Sequence, residues 1–97
     1  MKIGRITSVE DVAIARKPIY KLTIDFGEGM TKQCAAGIKD RYTKEELNGK
    51  LIAAVVNLEP KSVAGVASEC MLLAAFNDDE LSLLAPDRPV SLGSKVG

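Results

Sequence analysis

Few residues in this chain could carry covalent chemistry, and none stands in a pattern that would. Histidine is absent from the 97 residues. That removes Ser-His-Asp arrangements, imidazole acid–base work and most catalytic zinc sites. Lys61 and Ser62 are adjacent, but neighbours on an extended segment point to opposite faces and make a poor base and nucleophile. Glu45 and Glu46 are neighbours on a short helical stretch and cannot face each other as a general acid and base. Asp78-Asp79-Glu80 lacks the spaced ligands and the glycine of a calcium loop, and Gly27-Glu28-Gly29 lacks the later Gly-Lys-Ser/Thr of a phosphate loop. Cys34 and Cys70 fit neither a disulfide framework nor a metal spacing, and their apolar surroundings read as two buried free thiols. We therefore expect no catalytic residue, no metal and no cofactor.

Two stretches are suited to binding. In Val56-Asn57-Leu58-Glu59-Pro60-Lys61 an amide closes an apolar strand, followed by a proline and a lysine. Asn57 could read a base edge and Lys61 a phosphate; alternatively Asn57 only satisfies backbone groups at a turn. In Gly65-Val66-Ala67-Ser68-Glu69-Cys70-Met71, Ser68 offers a hydroxyl and Met71 a flexible apolar contact. Three positions apart, they share a face only if the strand bulges, and Met71 can equally be core.

The elements that must position these residues read as short strands. Ile19 to Phe26 alternates strictly, with Tyr20, Leu22, Ile24 and Phe26 on the inner face. Gly27-Glu28-Gly29 turns the chain, and Thr31 to Ala36 returns as a hairpin arm. From Lys2 to Val12, Ile3, Ile6, Val9 and Val12 recur every third residue, which with Gly4 suggests a bent or bulged strand. Thr43 to Leu47 forms one short helix, with Thr43 and Glu46 at capping-box spacing and Gly49 as its stop. Leu51 to Leu58, Glu69 to Phe76 and Leu81 to Ala85 complete five or six strands, and Pro86 and Pro89 hold an extended tail. The pattern predicts an all-β chain, an OB-like five-stranded Greek-key barrel with one helix between strands 3 and 4, in a single domain over residues 1–97.

Charge is balanced, with thirteen basic and thirteen acidic residues, so a generic nucleic-acid scavenger is excluded. Residues 1–61 nevertheless carry eleven Lys/Arg against eight Asp/Glu, and residues 62–97 two against five. The first part can present a local phosphate-facing patch. With four aromatic residues and no tryptophan, a broad base-stacking platform is not expected. The start has no apolar run of signal-peptide length, and Cys70 to Phe76 is far too short to span a membrane. A cytoplasmic protein is the expectation.

Several blocks then occur in order: Lys21-Leu22, Asp25-Phe26-Gly27, Ala36-Gly37-Ile38, Tyr42, Glu45-Glu46-Leu47-x-Gly49-Lys50, Val56-Asn57-Leu58-x-Pro60-Lys61, and Gly65-x-x-Ser68-x-x-Met71-x-Leu73-x-Ala75. Together they resemble the EMAP-II-like tRNA-binding domain, which includes the C-terminal domain of many bacterial methionyl-tRNA synthetases and free-standing tRNA-binding proteins. The resemblance implies an OB-fold barrel that binds tRNA by shape, without catalysis. Such binding works through backbone and 2′-hydroxyl contacts and needs few aromatics. It implies RNA contacts at Lys21, Lys32, Asn57, Lys61, Ser68 and Met71, with Lys21 and Lys32 forming a basic stripe on paired strands.

Ala15-Arg16-Lys17-Pro18-x-Tyr20-Lys21-Leu22-x-Ile24-Asp25-Phe26-Gly27 is similar to CsaA-type export-related chaperones, which implies the alternative of an unfolded peptide or preprotein as ligand. A module that docks onto a synthetase is a third reading. Two departures matter. Glu69-Cys70 stands where many members have Gln-Gly, and puts a negative charge beside the RNA site. Ala35-Ala36-Gly37 replaces a serine before glycine. A homodimer is expected, since pairing two small sites raises effective concentration, with the segment Leu81 to Val96 at its interface, where Leu81, Leu83, Leu84, Val90 and Leu92 would form a contiguous exposed apolar patch.

Overall fold

The computed structural model describes residues 1–12 and 18–97. The Ala15-Arg16-Lys17 part of the chaperone-like motif lies outside them.

The architecture begins with a meander. β1 (Lys2–Asp11), β2 (Tyr20–Asp25) and β3 (Thr31–Ala36) pair antiparallel in sequence. After α1 (Lys44–Leu47), β4 (Leu51–Val55) returns to the far side of β1, and β7 (Met71–Leu72) pairs with β4. The resulting order, β3-β2-β1-β4-β7, is a Greek-key arrangement in which the fourth strand lies beside the first. Two small hairpins extend it: β5 (Lys61–Val63) with β6 (Val66–Ser68), and β8 (Ala74–Phe76) with β9 (Leu81–Leu83). The five-stranded sheet curls into a nearly closed, OB-like barrel, and among the described residues one short helix lies between β3 and β4, as the sequence predicts.

The alternation in β2 is realised in full: Tyr20, Leu22, Ile24 and Phe26 are buried around the barrel axis with Ile6, Leu47, Ile52 and Cys34. The three-residue period of β1 has a physical cause. Ile6 pairs with Ile24 and Val9 with Leu22, but the register shifts between Ile6 and Ser8, so one extra residue is inserted. The bulge brings Ile6 and Val9 to the same inner face. Ile3, on the other face, is buried beneath the C-terminal segment: Ile3 N–H donates to the Ser94 carbonyl at 2.9 Å, and Gly93 N–H donates to the Ile3 carbonyl at 2.8 Å. Gly4 faces inward, where an added Cβ would lie 2.6 Å from Ile24 Cγ2 and 2.7 Å from the Phe26 ring. Only glycine lets those side chains meet β1.

The helix is held by a complete capping box: Glu46 N–H donates to Thr43 Oγ1 at 3.2 Å, and Thr43 N–H donates to Glu46 Oε1 at 2.9 Å. Leu47 fills the end of the barrel.

Three expectations need correction. The apolar run Glu69 to Phe76 is not one strand. At Leu73 the chain changes partners: β7 pairs with β4, then β8 pairs with β9. The β5–β6 hairpin was not expected at all; its turn is Ala64-Gly65, both at positive φ (51° and 82°). That is the backbone of a type I′ turn, and alanine there carries no sequence signal for it. Finally, the Leu81 to Val96 segment is not a continuous exposed patch. Leu83 is core, Leu81 packs on the core, and Leu84 and Val90 stay exposed.

Candidate functional site

β3 and β7 are the edges of the curled sheet, and a main-chain ladder does not join them. The seam is closed by the segment between β6 and β7. Glu69 N–H donates to the Gln33 carbonyl at 2.8 Å. Gln33 N–H donates to Glu69 Oε1 at 3.0 Å, and Ala35 N–H donates to Ser68 Oγ at 3.2 Å. The Ser68 hydroxyl donates in turn to the Cys70 carbonyl at 3.3 Å. Two side chains thus stand in for strand pairing and satisfy edge N–H groups that would otherwise go unpaired.

A groove of about 630 Å³ runs along this seam. Cys34, Cys70 and Leu83 form its buried floor. Leu58, Met71 and Phe76 border it and are 43%, 53% and 77% exposed. Glu59, Lys61 and Ser68 supply its polar groups. Exposed large apolar side chains gathered along one groove mark an interaction surface.

Three of the six sequence-predicted residues meet here. Lys61 and Ser68 are directly opposite each other in the β5–β6 register, and both line the groove with Met71. The exposure of Met71 rules out its reading as core. Asn57 is exposed in the loop next to Leu58 and Glu59 but does not line the groove. Lys21 pairs with Ala35, a lining residue, and also stands opposite Glu10. Lys32 pairs with Ile24. Because paired residues share a face and strand faces alternate, Lys21 and Lys32 fall on opposite faces of the sheet. They do not form the expected stripe. The charge of Lys32 instead reaches Cys70, whose ionisation it favours.

Leu58 and Phe76 are the residues that sequence reasoning missed. In the sequence Phe76 reads as the last residue of an apolar strand. Its one distinguishing signal is its place beside the Asn77-Asp78-Asp79 turn, where the strand has run past the end of the core. The two thiols are buried as expected, and both belong to one core cluster beneath the groove. The Cys34 thiol is lowered to about 7 by its hydrogen bond with Cys70, against burial, with the Ser68 hydroxyl and the Leu72 backbone assisting. Cys70 is pushed up by Cys34 and by burial.

A second depression, about 450 Å³, lies beside α1. There Asp11 binds Lys39 at 2.9 Å and Lys44 at 2.7 Å. Hydrogen bonds from Lys44 and Lys39 hold its carboxyl below the usual value. The lysines there are engaged by Asp11, Arg41 donates to the Asp79 carbonyl at 2.8 Å, and the rim adds Asp40, Glu45 and Glu46, so four acids line it against three bases. This charge balance makes it a poorer anion site than the groove.

The model of the "Putative tRNA binding domain" family matches residues 1–95. The methionine–tRNA ligase of Nanoarchaeum equitans (strain Kin4-M) is 45% identical over 96 residues, covering 99% of this chain and 12% of the ligase. The chain therefore spans about an eighth of the length of that relative. Among solved structures, the CsaA chaperone protein from Picrophilus torridus superposes with a TM-score of 0.89 at 42% identity, covering 98% of this chain and 88% of that one. A MetRS related protein from Pyrococcus horikoshii superposes at 0.88 and 35% identity, covering 99% and 87%. With the family model running from the first strand to the C-terminal segment, the chain belongs to the tRNA-binding domain family.

Proposed function

We propose that this chain binds tRNA without catalysing a reaction, using the seam groove and the basic residues around it. The observation that carries the reading is the family match across residues 1–95. Lys61 lies on the groove, Lys21 lies one strand from its wall, and Asn57 stands on the adjoining loop. In this reading Lys61 and Lys21 meet phosphates, Asn57 and Lys32 add polar contacts, and Met71 packs on a ribose or base. A small set of phosphate contacts positions an RNA by its shape, and few aromatics are required. Ser68 contributes by holding the groove wall, since its hydroxyl already accepts from Ala35 and donates to Cys70. The absence of histidine and of a general acid–base pair supports binding without catalysis.

A homodimer in the cytoplasm would double the site, with Leu84 and Val90 of the Leu81–Val96 segment as the exposed apolar surface available for the contact. Sedimentation at tens of micromolar tests it; a monomer there overturns it.

A second reading, binding of an unfolded peptide, is favoured by one observation: three exposed apolar side chains border a single groove. The likeness to CsaA chaperone proteins supports the same reading. Competition separates the two. If tRNA is the ligand, bulk tRNA binds at low salt, and an apolar peptide does not displace it at equal concentration. Peptide binding with no tRNA binding at low salt would replace the first reading by the second.

A further inference from the structure

We propose that Cys34 and Cys70 are a thiol modification site: a small-molecule disulfide of the glutathione type oxidises them to one another, and the new bond clamps β3 to the β6–β7 connection. The inference is independent of which ligand the groove takes.

Three observations carry it. First, the residues lie 36 positions apart in the chain but are neighbours across the seam. Glu69 N–H donates to the Gln33 carbonyl at 2.8 Å, the Cys70 thiol points to that same carbonyl at 4.0 Å, the Cys34 thiol points to the Ala35 carbonyl at 3.6 Å, and both cysteines belong to one buried cluster. Second, both cysteines are lining residues of the groove, which gives a small oxidant an approach to them. Each residue is only 2% exposed, but the wall between them rests on the Ser68 and Glu69 side chains in place of a ladder. Such a seam opens locally at less cost than a paired strand. Third, the surroundings suit exchange. The Cys70 thiol and the Ser68 hydroxyl stabilise a Cys34 thiolate, so Cys34 is the attacking sulfur. Cys70 is held protonated first by Cys34 and by burial. The Cys34 part of that hold ends once Cys34 is capped as a mixed disulfide, leaving the Lys32 charge to favour ionisation of Cys70 against burial and Glu69. A thiolate with a second thiol beside it is the arrangement that disulfide exchange needs.

The steps balance. The Cys34 thiolate attacks one sulfur of oxidised glutathione, forming a mixed disulfide and expelling one glutathione thiolate. Cys70 loses its proton to solvent, and its thiolate attacks the Cys34 sulfur. The Cys34–Cys70 bond forms and the second glutathione thiolate leaves. Two protein thiols are oxidised and one glutathione disulfide is reduced to two thiols.

The test is incubation of the folded, wild-type chain with oxidised glutathione near neutral pH, read by intact mass, thiol titration and peptide mapping. The expected result is loss of two hydrogens, loss of both free thiols together, a Cys34–Cys70 linked peptide, and reversal by reduced glutathione. The unfolding midpoint should rise on oxidation. Cys70→Ala should stop at a glutathione adduct on Cys34. Should that variant not fold, the wild-type mass and peptide map still decide. Two free thiols after incubation, a lasting glutathione adduct on the wild type, or a bond that forms only in denaturant would each overturn the proposal.

Discussion

Removing the side chains that close the seam should separate a structural role from a contact role. Ser68→Ala deletes the acceptor for Ala35 N–H at 3.2 Å and the donor to the Cys70 carbonyl at 3.3 Å. Both groups are partly buried, and leaving such a group unpaired costs about 1–3 kcal/mol. In a chain of this size 1 kcal/mol moves the melting midpoint by about 4–8 °C. Ser68→Ala should therefore lower the midpoint by about 5–20 °C. Glu69→Ala should do the same through Gln33 N–H, which donates to Glu69 Oε1 at 3.0 Å. Glu69→Gln retains an amide oxygen as acceptor and should hold the midpoint within a few degrees. It also removes one negative charge beside the groove. For a phosphate about 10 Å away in water that is about 0.4 kcal/mol, or a twofold gain in tRNA affinity. Circular dichroism melts and a tRNA titration on the three variants supply the readings. A Ser68→Ala protein with an unchanged midpoint and lost tRNA binding would refute the seam account and make Ser68 a direct contact.

Other outcomes follow from the same geometry. Gly4→Ala places a methyl 2.6 Å from Ile24 Cγ2 and should destabilise by about 1–3 kcal/mol in chemical denaturation. Met71→Ala should cost about 1 kcal/mol or less, because the side chain is exposed, while weakening tRNA binding in the same titration. With its folded-state value lowered from 9.0 to about 7, Cys34 releases its proton earlier in the folded chain than in the unfolded one. The unfolded state then binds more protons between those values, so stability should rise from pH about 7 to about 9. Above that range the raised Cys70 opposes it. Denaturant midpoints across pH, with Cys34→Ala as control, check the sign.

How much was legible depended on whether the signal was local. β2 alternates without a break, Gly27 and Gly29 mark its turn, and Thr43 and Glu46 carry the helix cap in their own side chains, so these elements were readable. The bulge in β1 showed as a period that suited neither helix nor strand. The rest depended on partners distant in sequence. Leu73 looks like its apolar neighbours, yet the chain switches there from pairing with β4 to pairing with β9. The Ala64-Gly65 turn lacks an asparagine or aspartate to announce it. At the site, residue types were legible and faces were not. Lys61, Ser68 and Met71 come together because a hairpin and a strand change fold them over one seam. Lys21 and Lys32 separate because their register differs by an odd number of residues.

The measurement that bears most directly on the central claim is tRNA affinity as a function of salt, for the wild type and for Lys61→Ala. The wild type should bind in the micromolar range at low salt. The logarithm of affinity should fall against the logarithm of salt with a slope of about −2 to −4, as two to four phosphates are neutralised. Lys61→Ala should flatten that slope by about one unit and leave the melting midpoint unchanged, because the lysine is exposed. No binding at low salt, a slope near zero, or an unaltered slope in Lys61→Ala would contradict tRNA recognition at this groove.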